Sequence, residues 1–390
     1  MATIANWFAE SQQQKTADWL VVDTFHRLTE RTELLNKVLP VRTYDDLDIL
    51  QYLIEEKRLL GSVMAFGQEI PLRNAGRFTK LNAQMFKVGT GRRYDERTQI
   101  ALKKAAEEAA LKQISVQNIY QGDANDKNVV QARGTANSLA EMLFGSVKSV
   151  TMELMDLIRM LSFQALQFGF VNYEDTSTAS KVVLDFRDPN ASYGLGGVNA
   201  HFPPSLAGTA QDWANTSTAE GLRIIEEDAE VYLETNGKMP DYIVMSRRTK
   251  RQLLHQEYTR TQYSAIVNSA AGITLSATGQ ISYTQLDALM QSRDLPKIVT
   301  VDEQYTGVDE NGNEVGNRRF VNQGRYFFCD NNMGERAIGP TVDNDFAPGL
   351  FVRVKEQKQD PPVDVILGTA SALPVVPNPK KLYAREVSVA

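Results

Sequence analysis

The longest regular pattern of hydrophobic positions in this chain predicts a single long α-helix between residues 133 and 169. Its apolar residues recur every three or four positions, and they are Leu139, Leu143, Val147, Val150, Leu154, Leu157, Leu161, Ala165 and Phe168. That spacing gives a helix one continuous apolar face, and no proline interrupts the segment. A helix over 135–168 would extend roughly 50 Å at 1.5 Å per residue, and Gly169 is placed to end it. A rod of this length needs other elements to lie along it.

Shorter patterns predict a mixture of strands and helices after this helix. Residues 170–189 predict two strands joined by a polar turn, and the glycine- and proline-rich segment 192–211 marks a boundary. A helix is predicted over 219–233, with Ser217 or Thr218 as its N-cap and Asn236-Gly237 at its end. Further strands are predicted at 242–245, 298–301, 325–329, 350–354 and 363–367, with a helix at 248–258 and a tight turn at 310–312.

The part of the chain before the long helix contains elements that lack a core of their own. Residues 1–50 have few and scattered apolar groups, which predicts an arm that packs on something else. Leucine and isoleucine spacing predicts a short helix over 45–60, and alternation on both sides of 74–76 predicts a long two-stranded hairpin over 61–96. A helix is predicted over 97–117. Because an isolated hairpin is marginal in water, this one needs a partner surface.

Composition and charge narrow the class of protein. The chain has 390 residues, 42% of them hydrophobic and 23% charged, which is typical of a globular protein of two or three domains or of one elaborated fold. The net charge of −6 argues against binding nucleic acid by coating its phosphates. The single cysteine, Cys329, excludes an internal disulfide framework and indicates a reducing cytoplasm. The sequence predicts neither a signal peptide nor a membrane span.

Motifs for catalysis or metal binding do not emerge from the sequence. The histidines lack a metal-ligand spacing, and they are His26, His201 and His255. Residues 309–320 fail the calcium-loop pattern at its sixth and twelfth positions, and residues 89–93 lack the GK[ST] of a phosphate loop. No GxSxG is present. We therefore predict that the protein is not an enzyme and has no catalytic residue, cofactor or metal.

The order of these parts, together with two C-terminal segments, resembles a known family. The segments are FVRVKEQKQDPP, residues 351–362, and ALPVVPNP, residues 372–379. With an arm, a long hairpin, a spine helix ending in ALQFG and a separate α/β segment, the chain resembles the major capsid protein of tailed bacteriophages. The likeness is to the branch of the lambda major head protein, and it covers nearly the whole chain.

This resemblance implies an α+β, HK97-type capsid fold divided into named parts. The implied parts are an N-terminal arm over 1–60, an E-loop over 61–96, a P-domain over 97–199 with its spine helix over 133–169, an A-domain over 200–345, and P-domain return strands with the C-terminus over 346–390. The family also implies a structural protein of the virion that assembles with itself, as hexamers and pentamers, into an icosahedral shell around double-stranded DNA, which it does not bind tightly.

The same resemblance implies further partners and a place of assembly. Assembly is expected in the host cytoplasm, with portal protein and decoration proteins as further partners and no membrane. Because only a short arm precedes the E-loop, without a long N-terminal extension, a separate scaffolding protein is expected. Two other classes stay open: an encapsulin-like compartment shell for cargo, which shares the fold, and an enzyme of an unrecognised class.

Opposite charges on two distant stretches predict how neighbouring subunits meet. Residues 67–94, within the predicted hairpin, carry six cations against the single acid Glu69, and the cations are Arg73, Arg77, Lys80, Lys87, Arg92 and Arg93. The helix at 219–233 and the residues after it carry acids at helical spacing on the outer side, and they are Glu220, Glu227, Glu230 and Glu234. We expect the basic hairpin of one subunit to lie against this acidic stripe of a neighbour, with Glu107 and Glu108 as the alternative surface.

Overall fold

The computed structural model describes residues 33–55, 77–94, 127–175, 180–187, 193–194, 198–199, 212–271, 281–308, 314–357 and 363–388. The helices in these residues are α1 (Glu33–Val38), α2 (Lys127–Phe168), α3 (Gly221–Asn236), α4 (Arg247–His255), α5 (Glu257–Ala271) and α6 (Tyr283–Ser292). The strands are β1 (Val41–Thr43), β2 (Asp48–Glu55), β3 (Arg77–Gln84), β4 (Phe86–Tyr94), β5 (Phe170–Asp175), β6 (Ser180–Asp185), β7 (Tyr193–Gly194), β8 (Val198–Asn199), β9 (Tyr242–Met245), β10 (Lys297–Thr300), β11 (Gln304–Val308), β12 (Glu314–Arg319), β13 (Arg325–Cys329), β14 (Glu335–Gly339), β15 (Leu350–Gln357), β16 (Val363–Val375) and β17 (Ala384–Glu386).

The long helix predicted from the sequence is α2, and it begins six residues before position 133. It ends where predicted, since Gly169 adopts a left-handed conformation with φ of 69° and its N–H donates to the carbonyl of Ala165. The strand pair after it is β5 and β6, which are antiparallel. The described part of the chain contains no helix long and apolar enough to cross a membrane.

Strand β16 is the centre of a five-stranded sheet. One edge of β16 pairs antiparallel with β4, and its other edge pairs with β15 and then with β14, both antiparallel. Strand β1 adds to β14 in parallel. The predicted strands at 350–354 and 363–367 are therefore confirmed, and both are longer than predicted.

A four-stranded sheet, in the order β10-β9-β13-β17, is covered on both faces. Ile243 and Met245 of β9 point into a core formed with α3, α4 and α6, whereas Val244 between them points into a core formed with α1 and α2. Successive side chains of a strand point to opposite faces, and both faces here are apolar. This explains why the sequence shows β9 as an unbroken apolar run. Cys329 of β13 is fully buried, as predicted, and burial raises the pKa of its thiol.

Helix α2 packs on both sheets. Its middle residues, Leu154 and Ile158, contact Val88 of β4 and Ala370 of β16. Its C-terminal turns contact the four-stranded sheet, through residues that include Phe163. The approach to β16 is close at one glycine, because a Cβ atom on Gly368 would lie 2.5 Å from a methyl group of Val150 and 2.8 Å from one of Leu154. The helix is therefore the element that joins the two sheets.

Three predictions about the first hundred residues were wrong. The segment predicted as a helix over 45–60 contains strand β2, because its backbone pairs with that of β3 in the antiparallel register Asp48↔Gln84 to Glu55↔Arg77. The hairpin predicted over 61–96 is also wrong. Its second half contains β3 and β4, but β3 pairs with β2, which precedes residue 61, and β4 pairs with β16 in the five-stranded sheet. The predicted arm is wrong for residues 33–43, which pack on their own subunit, since Leu35, Val38 and Leu39 are buried in the core under α2. Residues 1–32 of this arm lie outside the described residues.

Several details of the α/β segment also differ from the predictions. The N-cap of α3 is Glu220 instead of Ser217 or Thr218, and it makes no side-chain capping bond. Leu233, although it is apolar, is 40% exposed, whereas the neighbouring Tyr232 is fully buried. The single helix predicted over 248–258 is two helices, α4 and α5, that meet at Gln256. The predicted turn at 310–312 and the helix at 97–117 lie outside the described residues.

Candidate assembly surfaces

Strands β2 and β3 form a ribbon whose only strand pairing, within the described residues, is with each other. At one end of the ribbon Ile49 is buried against Met85 and Ala337, which fixes this end on the five-stranded sheet. A two-stranded ribbon is marginally stable by itself in water. A further surface along the ribbon would add to its stability.

The basic strand β4 is fixed to the long helix by a polar cluster. The guanidinium group of Arg92 donates to the carboxylate of Glu153 at 2.7 Å and to the hydroxyl of Ser149 at 2.6 Å. The hydroxyl of Thr90 donates to the second oxygen of the same carboxylate at 2.8 Å. Arg92 and Glu153 are about half exposed, so their pairing contributes little stability and mainly sets the position of β4 on α2.

Another acid connects strand β4 to β15. The ammonium group of Lys87 contacts Asp343, and the guanidinium group of Arg353 lies 3.2 Å from the same carboxylate. The hydrogen bond from Lys87 is the main reason why the pKa of Asp343 lies below its ordinary value. An open groove of about 350 Å³ lies between these residues and Gly368. Because both cations at the groove pair with Asp343, they are held within the subunit.

The acidic stripe predicted on α3 has two parts. At the start of the helix Arg223 lies 2.7 Å from Glu220 and 3.3 Å from Glu227, so these acids are paired within the helix. One turn further on, Glu230 and Glu234 are exposed and form no ion pair with any residue that the structure describes. Val231 and Leu233 beside them are 41% and 40% exposed. This last turn combines free negative charge with exposed apolar surface.

Beneath the stripe, Asp228 fixes α3 to the sheet. It is 2% exposed, and its carboxylate accepts hydrogen bonds from the guanidinium group of Arg385 at 2.5 and 2.6 Å and from the hydroxyl of Tyr326. Burial raises the pKa of Tyr326, and the nearby negative charge of Asp228 raises it further. Burial is the largest single influence on the pKa of Arg385 and would lower it. The hydrogen bond with Asp228, together with the electrostatic interactions with Tyr326, Asp228 and Tyr383, outweighs burial and raises this pKa. The outer face of α3 is therefore held in a fixed position.

Ten residues were predicted to form contacts between subunits, and four of them form ion pairs within the subunit. These four are Lys87, Arg92, Glu220 and Glu227, as described above. Arg73 lies outside the described residues, as do the side chains of Arg77, Lys80 and Arg93. The proposed pairing of hairpin and stripe is thus an expectation about contacts between subunits.

One basic surface was not predicted from the sequence, although a cluster of cations in the sequence indicates it. The run RRTKR, residues 247–251, contains four cations and no acid, and it was interpreted only as part of a helix. In the structure it forms α4, on which Arg247, Arg248 and Arg251 are exposed while Lys250 is buried and pairs with Asp287 at 2.7 Å. The structure thus shows a basic helix face that belongs to no predicted contact.

The described residues contain no group of three or more histidine, cysteine or acidic side chains that could hold a metal ion. Of the histidines, His255 lies exposed at the end of α4, and His26 and His201 lie outside the described residues.

Comparison with solved structures shows which fold this is. Neither a protein-family model nor a curated protein sequence matches the chain. It is similar to a protein assigned as the capsid protein of a prophage of E. coli CFT073, with a TM-score of 0.53 and 12% identity over 91% of this chain and 92% of that chain. It is also similar to a phage-related protein from Bordetella bronchiseptica RB50, with a TM-score of 0.43 and 11% identity over 90% of each chain. A third similar structure is the virus-like particle from Pyrococcus furiosus, with a TM-score of 0.41 and 7% identity over 95% of this chain and 98% of that chain.

At such low identity the likeness to the prophage protein shows the fold, and it does so over nearly the full length of both chains. The α+β, HK97-type capsid fold predicted from the sequence is therefore confirmed, and this chain has the fold of a phage capsid protein.

Proposed function

We propose that this protein is the major capsid protein of a tailed bacteriophage, a structural protein that assembles with itself into an icosahedral shell around the phage genome. The observation that carries the proposal is the likeness of fold to the prophage capsid protein over 91% of this chain. The proposal places the protein in the virion and its assembly in the host cytoplasm, and it assigns the protein no catalytic activity.

Two features of the subunit support an assembling protein. The β2–β3 ribbon is too small a unit to be stable alone, and a neighbouring subunit would supply the surface that it needs. The last turn of α3 leaves Val231 and Leu233 exposed on a helix that is otherwise well packed. Exposed apolar side chains that form a group are typical of interaction surfaces.

The division of the chain and its other partners belong to the same proposal. We expect the E-loop to include the β2–β3 ribbon, the P-domain to contain α2 and the five-stranded sheet, and the A-domain to contain α3 to α6. Hexamers and pentamers of this chain would form the shell, with separate scaffolding and portal proteins and with decoration proteins as further partners. The net charge of −6 supports a shell that encloses DNA without binding it tightly.

We further propose that the basic stretch over 67–94, which was predicted as a hairpin and contains β3 and β4, lies against an acidic surface of a neighbouring subunit. The acidic stripe of α3 is the first candidate for this surface, and Glu107 and Glu108 are the second. A charge exchange tests the first: Arg77→Glu should impair assembly, and Glu227→Arg added to it should restore part of the assembly. The contact of this stretch with α3 is excluded if the double variant assembles no better than Arg77→Glu alone, and the same exchange at Glu107 then tests the second.

Isolation of the native particles tests the proposed function. Particles purified from cells that contain the whole phage genome should protect double-stranded DNA from nuclease. Particles that enclose protein cargo and no nucleic acid would instead identify an encapsulin-like compartment. A protein that stays monomeric and shows a titratable pocket would point to the enzyme class.

A further inference from the structure

Two helices with opposite charge lie at opposite ends of strand β9. Helix α3 ends at Asn236, and β9 begins at Tyr242 after a short connection, so the last turn of α3 lies near the start of the strand. Helix α4 begins at Arg247, directly after β9 ends at Met245. A strand of this length extends about 13 Å. The last turn of α3 and the first turn of α4 are thus separated by the length of the strand.

The surface at the start of β9 is acidic and partly apolar. It consists of Glu230, Val231, Leu233 and Glu234, and we call it the α3 patch. All four side chains are exposed, and neither acid has an ion-pair partner in the part of the chain that the structure describes. Lys238, which follows the helix, is already paired with Asp241 at 3.0 Å.

The surface at the end of β9 is basic. Arg247 and Arg251 are four positions apart and therefore lie on the same side of α4, and His255 continues this row by one more turn. We call these three residues the α4 row. All are exposed, and neither arginine side chain forms an ion pair among the described residues. The neighbouring cation Lys250 has a structural role instead, because it is buried and paired with Asp287.

We infer that the α4 row of one subunit contacts the α3 patch of a second copy, in a head-to-tail interface. The inference rests on the proposed self-assembly and names one of its contacts. Two different, complementary surfaces on one chain form a heterologous interface, which repeats from copy to copy and can close into a ring. A second copy of this chain would then supply ion-pair partners for the acids of the α3 patch and for the arginines of the α4 row, which have none among the described residues.

The two kinds of side chain in the α3 patch have separate roles in this contact. The exposed carboxylates attract the arginines and fix the register of the two subunits, since exposed ion pairs contribute orientation more than strength. Val231 and Leu233 gain burial when the second copy covers them. The contact between the α4 row and the α3 patch uses Glu230 and Glu234. The contact proposed above for the basic stretch over 67–94 is tested at Glu227, which already forms an ion pair with Arg223.

Charge reversals on the full chain test the inference. Arg251→Glu and Glu234→Arg should each raise the protein concentration needed for assembly about 5-fold to 30-fold, because each turns an attraction into a repulsion at every contact. The double variant should restore assembly toward the wild-type concentration. The control is Lys297→Glu, an exposed cation in register with Tyr242 at the acidic end, which should assemble like the wild type.

A mixture of the two single variants gives a second measurement that does not depend on how either one folds. Alternating copies place the new glutamate opposite the new arginine, so the mixture should assemble better than either variant alone. If the single variants assemble like the wild type, or if neither the double variant nor the mixture restores assembly, the inference is overturned and the proposed function stands. Failure of the wild type to assemble, both alone and together with the products of its neighbouring genes, overturns both.

Discussion

Replacing Gly368 by alanine tests the close packing of the long helix on the five-stranded sheet. The new methyl group would lie 2.5 Å from Val150 and 2.8 Å from Leu154, both fully buried. The nearer distance is about 0.9 Å short of ordinary contact, and a packed core does not yield that much without strain. Gly89 on the adjacent strand is a matched control, because a methyl group there would meet its nearest atom, the carbonyl oxygen of Gly368, at 3.4 Å.

We expect the free energy of unfolding of Gly368→Ala to be lower than that of Gly89→Ala by about 1 to 3 kcal/mol, the usual cost of overpacking. The entropy that alanine removes from the unfolded chain is similar in both variants and cancels in this comparison. The assay is urea unfolding of unassembled subunits, followed by circular dichroism. Gly368→Ala should cost less in a Val150→Ala background, because the nearest methyl group is then absent. Equal stability of the two glycine variants would refute the close contact between α2 and β16.

Three further predictions concern charge. Asp228→Ala should lower the free energy of unfolding by roughly 3 to 5 kcal/mol, since it removes the buried carboxylate that accepts two hydrogen bonds from the guanidinium group of Arg385. Glu230→Ala on the same helix should change the free energy of unfolding by less than about 0.5 kcal/mol in the same urea assay. The pKa of Asp343 lies below its ordinary value of 3.8, so its ion pairs stabilise the fold above that pH and are lost as the pH falls through the lowered pKa. The stability difference between wild type and Asp343→Asn, measured by urea unfolding at pH 6 and pH 3, should therefore shrink at the lower pH, and a difference that stays constant would contradict this pairing. Free subunits should show little salt-dependent affinity for DNA in a fluorescence anisotropy titration, and a steep loss of tight binding between low and moderate salt would contradict the enclosing role.

The sequence predicts well those elements whose signal is local. The apolar stripe of α2 and the glycine after it are contained within one segment, and both are present as predicted. Strand β9 was visible because both of its faces are buried, which produces an unbroken apolar run. The order of the parts was enough to indicate the HK97-type fold, which the likeness to the prophage protein confirms.

The sequence fails where the deciding partner lies far along the chain. Strand β2 was predicted as a helix because its apolar spacing fits both structures, and only pairing with β3 decides between them. Strand β14 was missed because it contains Glu335 and Arg336, which look exposed in a sequence. Arg336 is nevertheless buried, since it donates to the carbonyl of Leu39, 297 positions away, and burial lowers its pKa to about 10. No local pattern contains that information.

The same limit applies to the candidate surfaces. Charge counts identified the acidic face of α3, but they could not show that Arg223 neutralises its first half or that Leu233 is exposed. They also gave no reason to separate Lys250, which pairs inside the subunit, from Arg247 and Arg251, which do not. Only the three-dimensional arrangement distinguishes charges that are free to meet a neighbour.

Electron microscopy of the purified protein, expressed alone and together with the products of its neighbouring genes, tests the central claim most directly. The account predicts closed particles with icosahedral symmetry, built from many copies of this chain, in which the β2–β3 ribbon lies on an adjacent subunit. Subunits or small oligomers that never form closed shells, in either preparation, would contradict it.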